Sequence, residues 1–349
     1  MNRVFLLVFA VIWTQNTVQA EQTKRYADAI SQMADLVADN YVSEEIATQM
    51  VRYLRSRAVD DNFLSQSQDE ISDALTADLR ELSNDKHMTV VPWFDIDASW
   101  NTDANAEDAV ASYSARFTNQ GVAEVRVLSG NIGYLKLDGF YDPSRSGPTV
   151  EAAFKVLENS DALILDLREN TGGAAEAVGM IASYFLPENT LLNRRYYRRT
   201  GHTEDFYSDE NKSNISMLGL PVAVLTSSNT ASAAEAISYI LKHNGVATII
   251  GEVTSGGGHT ADIFEVGNQK FLIMISIGSI INPITGTNWQ GTGVIPDIPR
   301  TCGNLINAAR HHLLRTLINE TQDVGLKNIR NKALNLLDTA ELNEAECQP

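Results

Sequence analysis

The sequence predicts an α/β fold in which a helical segment precedes a core of mostly parallel strands and a helical tail closes the chain. Three observations carry this prediction. From residue 22 to about 85, apolar side chains recur at three- and four-residue intervals, as in "YADAISQMADLVADNYV" and "DEISDALTADLRELS". Two short, continuously apolar stretches, "ALILDL" and "PVAVLT", each pass through a turn into an apolar helix pattern, as strands buried on both faces do. After Cys302 the helical period returns in "NLINAARHHLLRTLI" and "LKNIRNKALNLLDTAEL".

The opening stretch, residues 1–20, has one basic residue, Arg3, an apolar run from Val4 to Trp13 and a small-residue end at Val18-Gln19-Ala20. That run is too short to cross a bilayer, so the segment reads as a signal peptide. The mature chain is expected to be exported, periplasmic or extracellular, with no membrane insertion. Residues 21–90 form the expected N-terminal helical domain, whose second helix ends in "NDKHMTVV", where the pattern turns extended. Residues 91–121 are polar and aperiodic and read as a loop or linker.

The expected core runs from 122 to 301. "AEVRVLSGNIGYLKLDGF" reads as two strands joined by a Ser-Gly-Asn turn. The two strand–turn–helix units follow, with "RENTGG" and "SSNTAS" as their turns. Two further strands are expected in "ATIIGEV" and "KFLIMISIGSI", with the glycine-rich "TSGGGHT" after the first. Residues 302–349 form the tail.

A formal net charge of −17 sets the surface against nucleic acid and anionic membranes. The two cysteines, Cys302 and Cys347, are compatible with one disulfide in an oxidising compartment. Neither has metal-ligand spacing around it, and no metal or organic cofactor is expected.

In α/β folds, ligands gather beyond the carboxyl ends of the parallel strands, where both turns lie. Gly172-Gly173 lets backbone N–H groups come close to a substrate, although such a pair also serves as a plain tight turn. Ser232 sits where a helix opens, beside the N–H of Ala233 and the positive end of the helix dipole. An oxyanion hole could therefore be built from Gly172 or Gly173 and Ala233. The competing reading is a capping box of Ser232 with Glu235. If Ser232 is a nucleophile with a free hydroxyl, capping should fall to Asn229 or Thr230, and Ser232 should lie within the first helical turn.

"DLRENTGG", "SSNTASAAEAISYIL", "GEVTSGGGHT" and "NPITGTNWQGTGVIPDI", in that order, resemble the tail-specific, or C-terminal processing, serine protease family. The branch they resemble includes interphotoreceptor retinoid-binding protein, and "LSNDKHMTV" extends the likeness to the N-terminal segment. The resemblance implies a ClpP/crotonase-like core and peptide-bond hydrolysis through an acyl-enzyme, with a peptide or protein as substrate. It places the nucleophile on Ser232, the oxyanion donors on Gly172 and Gly173, and the general base on His87. His259 is the fallback base. The lysine used by another branch falls on Gly257 and is absent.

The branch's triad acid is the Glu of "NWEG", and here that position is Gln290. The resemblance thus gives Gln290 the role of orienting His87 through its amide, which supplies no charge, so the departure implies attenuated catalysis, a nearby acid as substitute, or a scaffold that binds peptides or apolar ligands without cutting. The stretch between His87 and Ile132 is too short for the PDZ domain many relatives carry. Asp166, Arg168 and Asn170 are expected to hold the strand–turn geometry rather than to react. A crotonase-type acyl-CoA enzyme is disfavoured by the leader, since CoA thioesters are intracellular.

Overall fold

A computed structural model describes residues 2–93, 115–209, 215–268, 270–301 and 304–341. Most of the expected linker lies outside the described residues, as do Cys302 and Cys347 and with them the expected disulfide. The chain divides into two compact units. The first comprises Met1–Ala98, Arg195–Thr203 and His259–Ser279, and the second Ser99–Arg194, Glu204–Gly258 and Ile280–Pro349.

In the first unit the expected helical run resolves into α1 (Asn2–Asn40), α2 (Glu44–Arg57), α3 (Asp61–Leu64) and α4 (Gln68–Ser83), followed by β1 (Thr89–Pro92). Local chemistry sets the boundaries. Ser43 and Asp60 cap α2 and α3, and Ser67 with Glu70 forms a reciprocal capping box on α4. Asn84, in the left-handed conformation at φ 48°, stops α4 and turns the chain into Asp85 and His87. Strands β9 (His259–Val266) and β10 (Phe271–Ile281) pair antiparallel, and β1 pairs with β10 in the register Thr89↔Met274. Alternate residues of β10, Phe271, Ile273 and Ile275, are buried with Ile30, Met33, Val37, Met50, Leu54 and Leu75. That shared core is why residues 259–279 belong to the first unit, although sequence alone assigned them to the same segment as the parallel strands.

The second unit holds a six-stranded sheet. Its strands are β2 (Val122–Leu128), β3 (Ile132–Leu137), β4 (Ala162–Asp166), β7 (Val222–Thr226), β8 (Ala247–Gly251) and β11 (Ile298–Pro299), in the spatial order β11-β8-β7-β4-β3-β2. The expected hairpin is β2–β3, antiparallel, and from β3 to β11 every pairing is parallel. Strands β4 and β7 are buried at every residue. Their alternate side chains enter two different cores. Leu163, Leu165, Val222 and Val224 pack with α5 (Pro143–Leu157), α6 (Glu176–Ala182) and α7 (Ala233–His243). Ala162, Ile164, Ala223 and Leu225 pack with α8 (Leu305–Glu320) and α9 (Val324–Glu341), the expected tail. Continuous apolar runs are what a sheet covered on both faces demands.

Candidate active site

Both turns lie beyond the carboxyl ends of β4 and β7, and backbone and side-chain bonds tie them together. Asn170 Nδ2 donates to Leu137 O at 3.0 Å, its Oδ1 accepts Gly172 N–H at 2.8 Å, and its carbonyl accepts Ala231 N–H at 3.0 Å. Thr230 Oγ1 donates to Leu167 O at 2.8 Å. Asp166, fully buried, takes a bidentate pair from Arg168 at 2.9 and 2.7 Å and the Tyr134 hydroxyl at 2.8 Å. Asp166, Arg168 and Asn170 therefore hold the strand–turn geometry, the role expected of them.

Gly172 and Gly173 sit at φ 99° and 129°, where side chains are strained. An added Cβ at Gly173 would lie 2.0 Å from Phe140 O, and one at Gly172 would lie 2.8 Å from Ser232 Cβ and 3.0 Å from Ala233 N. Glycine at 172 is thus what lets this backbone press against the serine turn. The Gly172 N–H is already engaged by Asn170. Among the described residues no backbone hydrogen bond takes up the Gly173 or Ala233 N–H.

Ser232 is the N-cap of α7 at φ 53°, ψ −119°, a conformation foreign to L-residues. This corrects the expectation that it lies within the first turn and that Asn229 or Thr230 caps the helix. Thr230 Oγ1 instead joins Ser227 N–H to the Leu167 carbonyl. Ser232 and Glu235 do form a capping box, and the Ser232 N–H reaches the Glu235 carboxylate at 2.8 Å. That carboxylate is fully buried and accepts three more donors: Thr254 Oγ1 at 2.5 Å, Gly256 N–H at 2.6 Å and Gly257 N–H at 2.8 Å. Glu235 joins the serine turn to the glycine-rich loop, a role hidden in the sequence behind its cap spacing.

Gln290 lies on the far side of that loop. Its Oε1 accepts Gly258 N–H at 2.7 Å, the fully buried Trp289 donates its indole N–H to Gly257 O at 2.8 Å, and Gly291 N–H reaches Gly256 O at 2.8 Å. "NWQG" laces onto "GGG" residue by residue.

In the first unit, His87 and His259 converge on one carboxylate, Asp85, which is fully buried at its side chain. His259 Nδ1 lies 2.7 Å from Asp85 Oδ2, and the Tyr41 hydroxyl donates to the same oxygen at 3.2 Å. His87 donates its backbone N–H to Asp85 Oδ1 at 3.0 Å, and its ring Nδ1 lies 3.5 Å from that oxygen. Burial opposes the charge on Asp85. Hydrogen bonds from His259 and His87 and the charge of His259 outweigh burial and hold its carboxyl far below the usual carboxylate range. Burial, then the neighbouring Asp85, pushes the Tyr41 phenol well above its ordinary value. Sequence reading singled out both histidines but missed Asp85.

A serine on a strained helix cap, backed by glycine backbone at the ends of parallel strands, defines the hydrolase-like class of α/β site. The chain belongs to peptidase family S41. A profile described as peptidase family S41 matches residues 131–300, and one described as the N-terminal domain of peptidase S41 in eukaryotic IRBP matches residues 20–121. The chain is 33% identical over 173 residues to carboxyl-terminal-processing peptidase 2, chloroplastic, of Arabidopsis thaliana, covering 49% of this chain and 32% of that one. It is 34% identical over 140 residues to the carboxyl-terminal-processing protease of Synechocystis sp. (strain ATCC 27184 / PCC 6803 / Kazusa), covering 40% and 31%. The matched stretch thus spans about a third of those relatives. Three solved structures share the fold. A lipoprotein from Streptococcus agalactiae aligns with TM-score 0.56 and 18% identity over 84% of this chain and 96% of that one. Mature CPAF aligns with 0.55 and 13% over 91% and 96%. The photosystem II D1 C-terminal processing protease aligns with 0.50 and 18% over 79% and 93%.

Proposed function

We propose that this chain is an exported serine peptidase that hydrolyses peptide bonds through an acyl-enzyme on Ser232. The observation that carries the proposal is the Ser232 turn itself: a serine at positive φ held against Gly172 backbone, with the Ala233 N–H next in the chain and Gly173 next to Gly172. The proposed base is His87. It takes the hydroxyl proton as Oγ attacks the scissile carbonyl, and the Gly173 and Ala233 N–H groups hold the resulting oxyanion. The same imidazole then gives its proton to the leaving amine, and water repeats the sequence to free the acyl group. Gln290 keeps the glycine-rich loop in place. The apolar run of residues 4–13 supports export, and among the described residues no helix is long and apolar enough to cross a membrane.

A fluorophosphonate probe tests the nucleophile. The full chain should label, and Ser232→Ala should not; equal labelling of the two would sink the assignment. The rival reading, a binding scaffold that does not cut, draws on the amide at 290. It would show as peptide binding without labelling of the unaltered chain.

A further inference from the structure

The amide at 290 leaves the proposed base without the carboxylate a serine–histidine pair uses, and Gln290 Oε1 is already engaged by the Gly258 N–H. A carboxylate stands instead two residues before His87. We propose that Asp85 is the acid of this site: it orients His87 and bears its positive charge, while His259 and Tyr41 are positioning residues that hold its second oxygen. The inference rests on His87 acting as the base for Ser232.

The geometry divides the two oxygens of one carboxylate. Oδ2 takes the His259 Nδ1 at 2.7 Å and the Tyr41 hydroxyl at 3.2 Å. Oδ1 is left to His87, taking its backbone N–H at 3.0 Å and facing its Nδ1 at 3.5 Å. The 3.5 Å separation is an ion-pair distance rather than a hydrogen bond, and catalytic contacts that are long in a ligand-free state tighten when substrate binds. Every partner comes from a different segment: Tyr41 from the end of α1, His87 from the turn after α4, and His259 from the start of β9. Rotation of the Asp85 side chain would break bonds on two sides at once. The groups titrating against it are His87, His259 and Tyr41. The lowered pKa of Asp85 keeps it ionised at neutral pH, so it meets an imidazolium as an anion. In the acylation step the Ser232 O–H bond breaks, the proton bonds to the His87 imidazole, and Oγ bonds to the carbonyl carbon. Asp85 exchanges no proton and serves as counter-charge.

The rate of fluorophosphonate labelling, followed from pH 5 to 9, tests this. Asp85→Asn should slow labelling by about 10⁴-fold, the scale of an acid-to-amide change in a serine triad. The pH profile of its labelling should differ from that of the unaltered chain, because the anion beside the base is gone. Asp85→Glu should recover part of the rate. His259→Gln, a milder change that keeps Asp85 charged, should slow labelling about tenfold, which serves if Asp85→Asn does not fold. Labelling of Asp85→Asn, or of His259→Gln if the former is unfolded, at the rate and pH profile of the unaltered chain would overturn the inference. Such a result alongside loss in His87→Ala would leave the peptidase reading standing. Absence of labelling in the unaltered chain would overturn both.

Discussion

At Ser232 a cap and a nucleophile turn out to be compatible. The Glu235 half of the capping box binds the Ser232 backbone N–H and makes no demand on the hydroxyl. A hydroxyl that accepts at a cap also keeps its own proton to give. The backbone pays for the placement: φ 53°, ψ −119° suits glycine and costs serine about 1–3 kcal/mol. Ser232→Gly should therefore raise the melting temperature by a few degrees while abolishing probe labelling. A lower melting temperature would show that the turn is unstrained. Glu235→Gln should do the opposite. With four donors on two oxygens, an amide must point its N–H₂ at another donor, costing about 1–3 kcal/mol in urea unfolding. An unchanged midpoint would deny Glu235 its buried role. Ser232 and the glycine pair were marked by their spacing at the strand–turn–helix units, and His87 by the family resemblance of the motif around it. Asp85 was not, because its strongest partner, His259, is 174 positions away and no spacing rule spans that separation.

Among the elements, strands β4 and β7 were legible for a simple reason: a strand covered on both faces must be apolar at every position. Their helices followed from period, and the hairpin β2–β3 from its turn. Strands β5 (Leu191–Tyr197) and β6 (His202–Tyr207) were not anticipated, since "LLNRRYY" and "HTEDFY" carry no apolar alternation and β6 lies largely exposed. Helix α5 was not anticipated; Gly147 and Pro148 both disfavour a helix interior, and the helix accommodates both. The turn after β4 shows how tightly element and site are joined. The Phe140 N–H bonds Gly172 O at 2.9 Å, Ala174 N–H bonds Phe140 O at 2.9 Å, and Gly173 has no room for a Cβ between them. Gly173→Ala should cost at least about 2 kcal/mol, from the positive φ and the clash with backbone, and should misplace the oxyanion donor. Urea unfolding and labelling should fall together; loss of stability alone would separate the turn from the site.

For the whole molecule, the buried Asp85 makes a prediction about acid stability. Its folded acidity constant lies far below the value of about 3.9 for an unfolded aspartate, so the unfolded chain binds more protons as pH falls. The stability contributed by its ionised form is fully present above that value and is lost progressively below it. Asp85→Asn removes this contribution at every pH. The unaltered chain should thus be clearly more stable than the variant at pH 6, and the difference should shrink steadily once pH drops below about 4. A surface of net charge −17 adds a trend of the opposite sign, since protonation relieves acidic repulsion, but that trend is common to both chains and cancels in the comparison. Urea midpoints measured from pH 3 to 6 isolate the buried group. A constant gap across that range would mean that Asp85 is held by hydrogen bonds that do not depend on its charge, and would also remove the counter-charge proposed for His87.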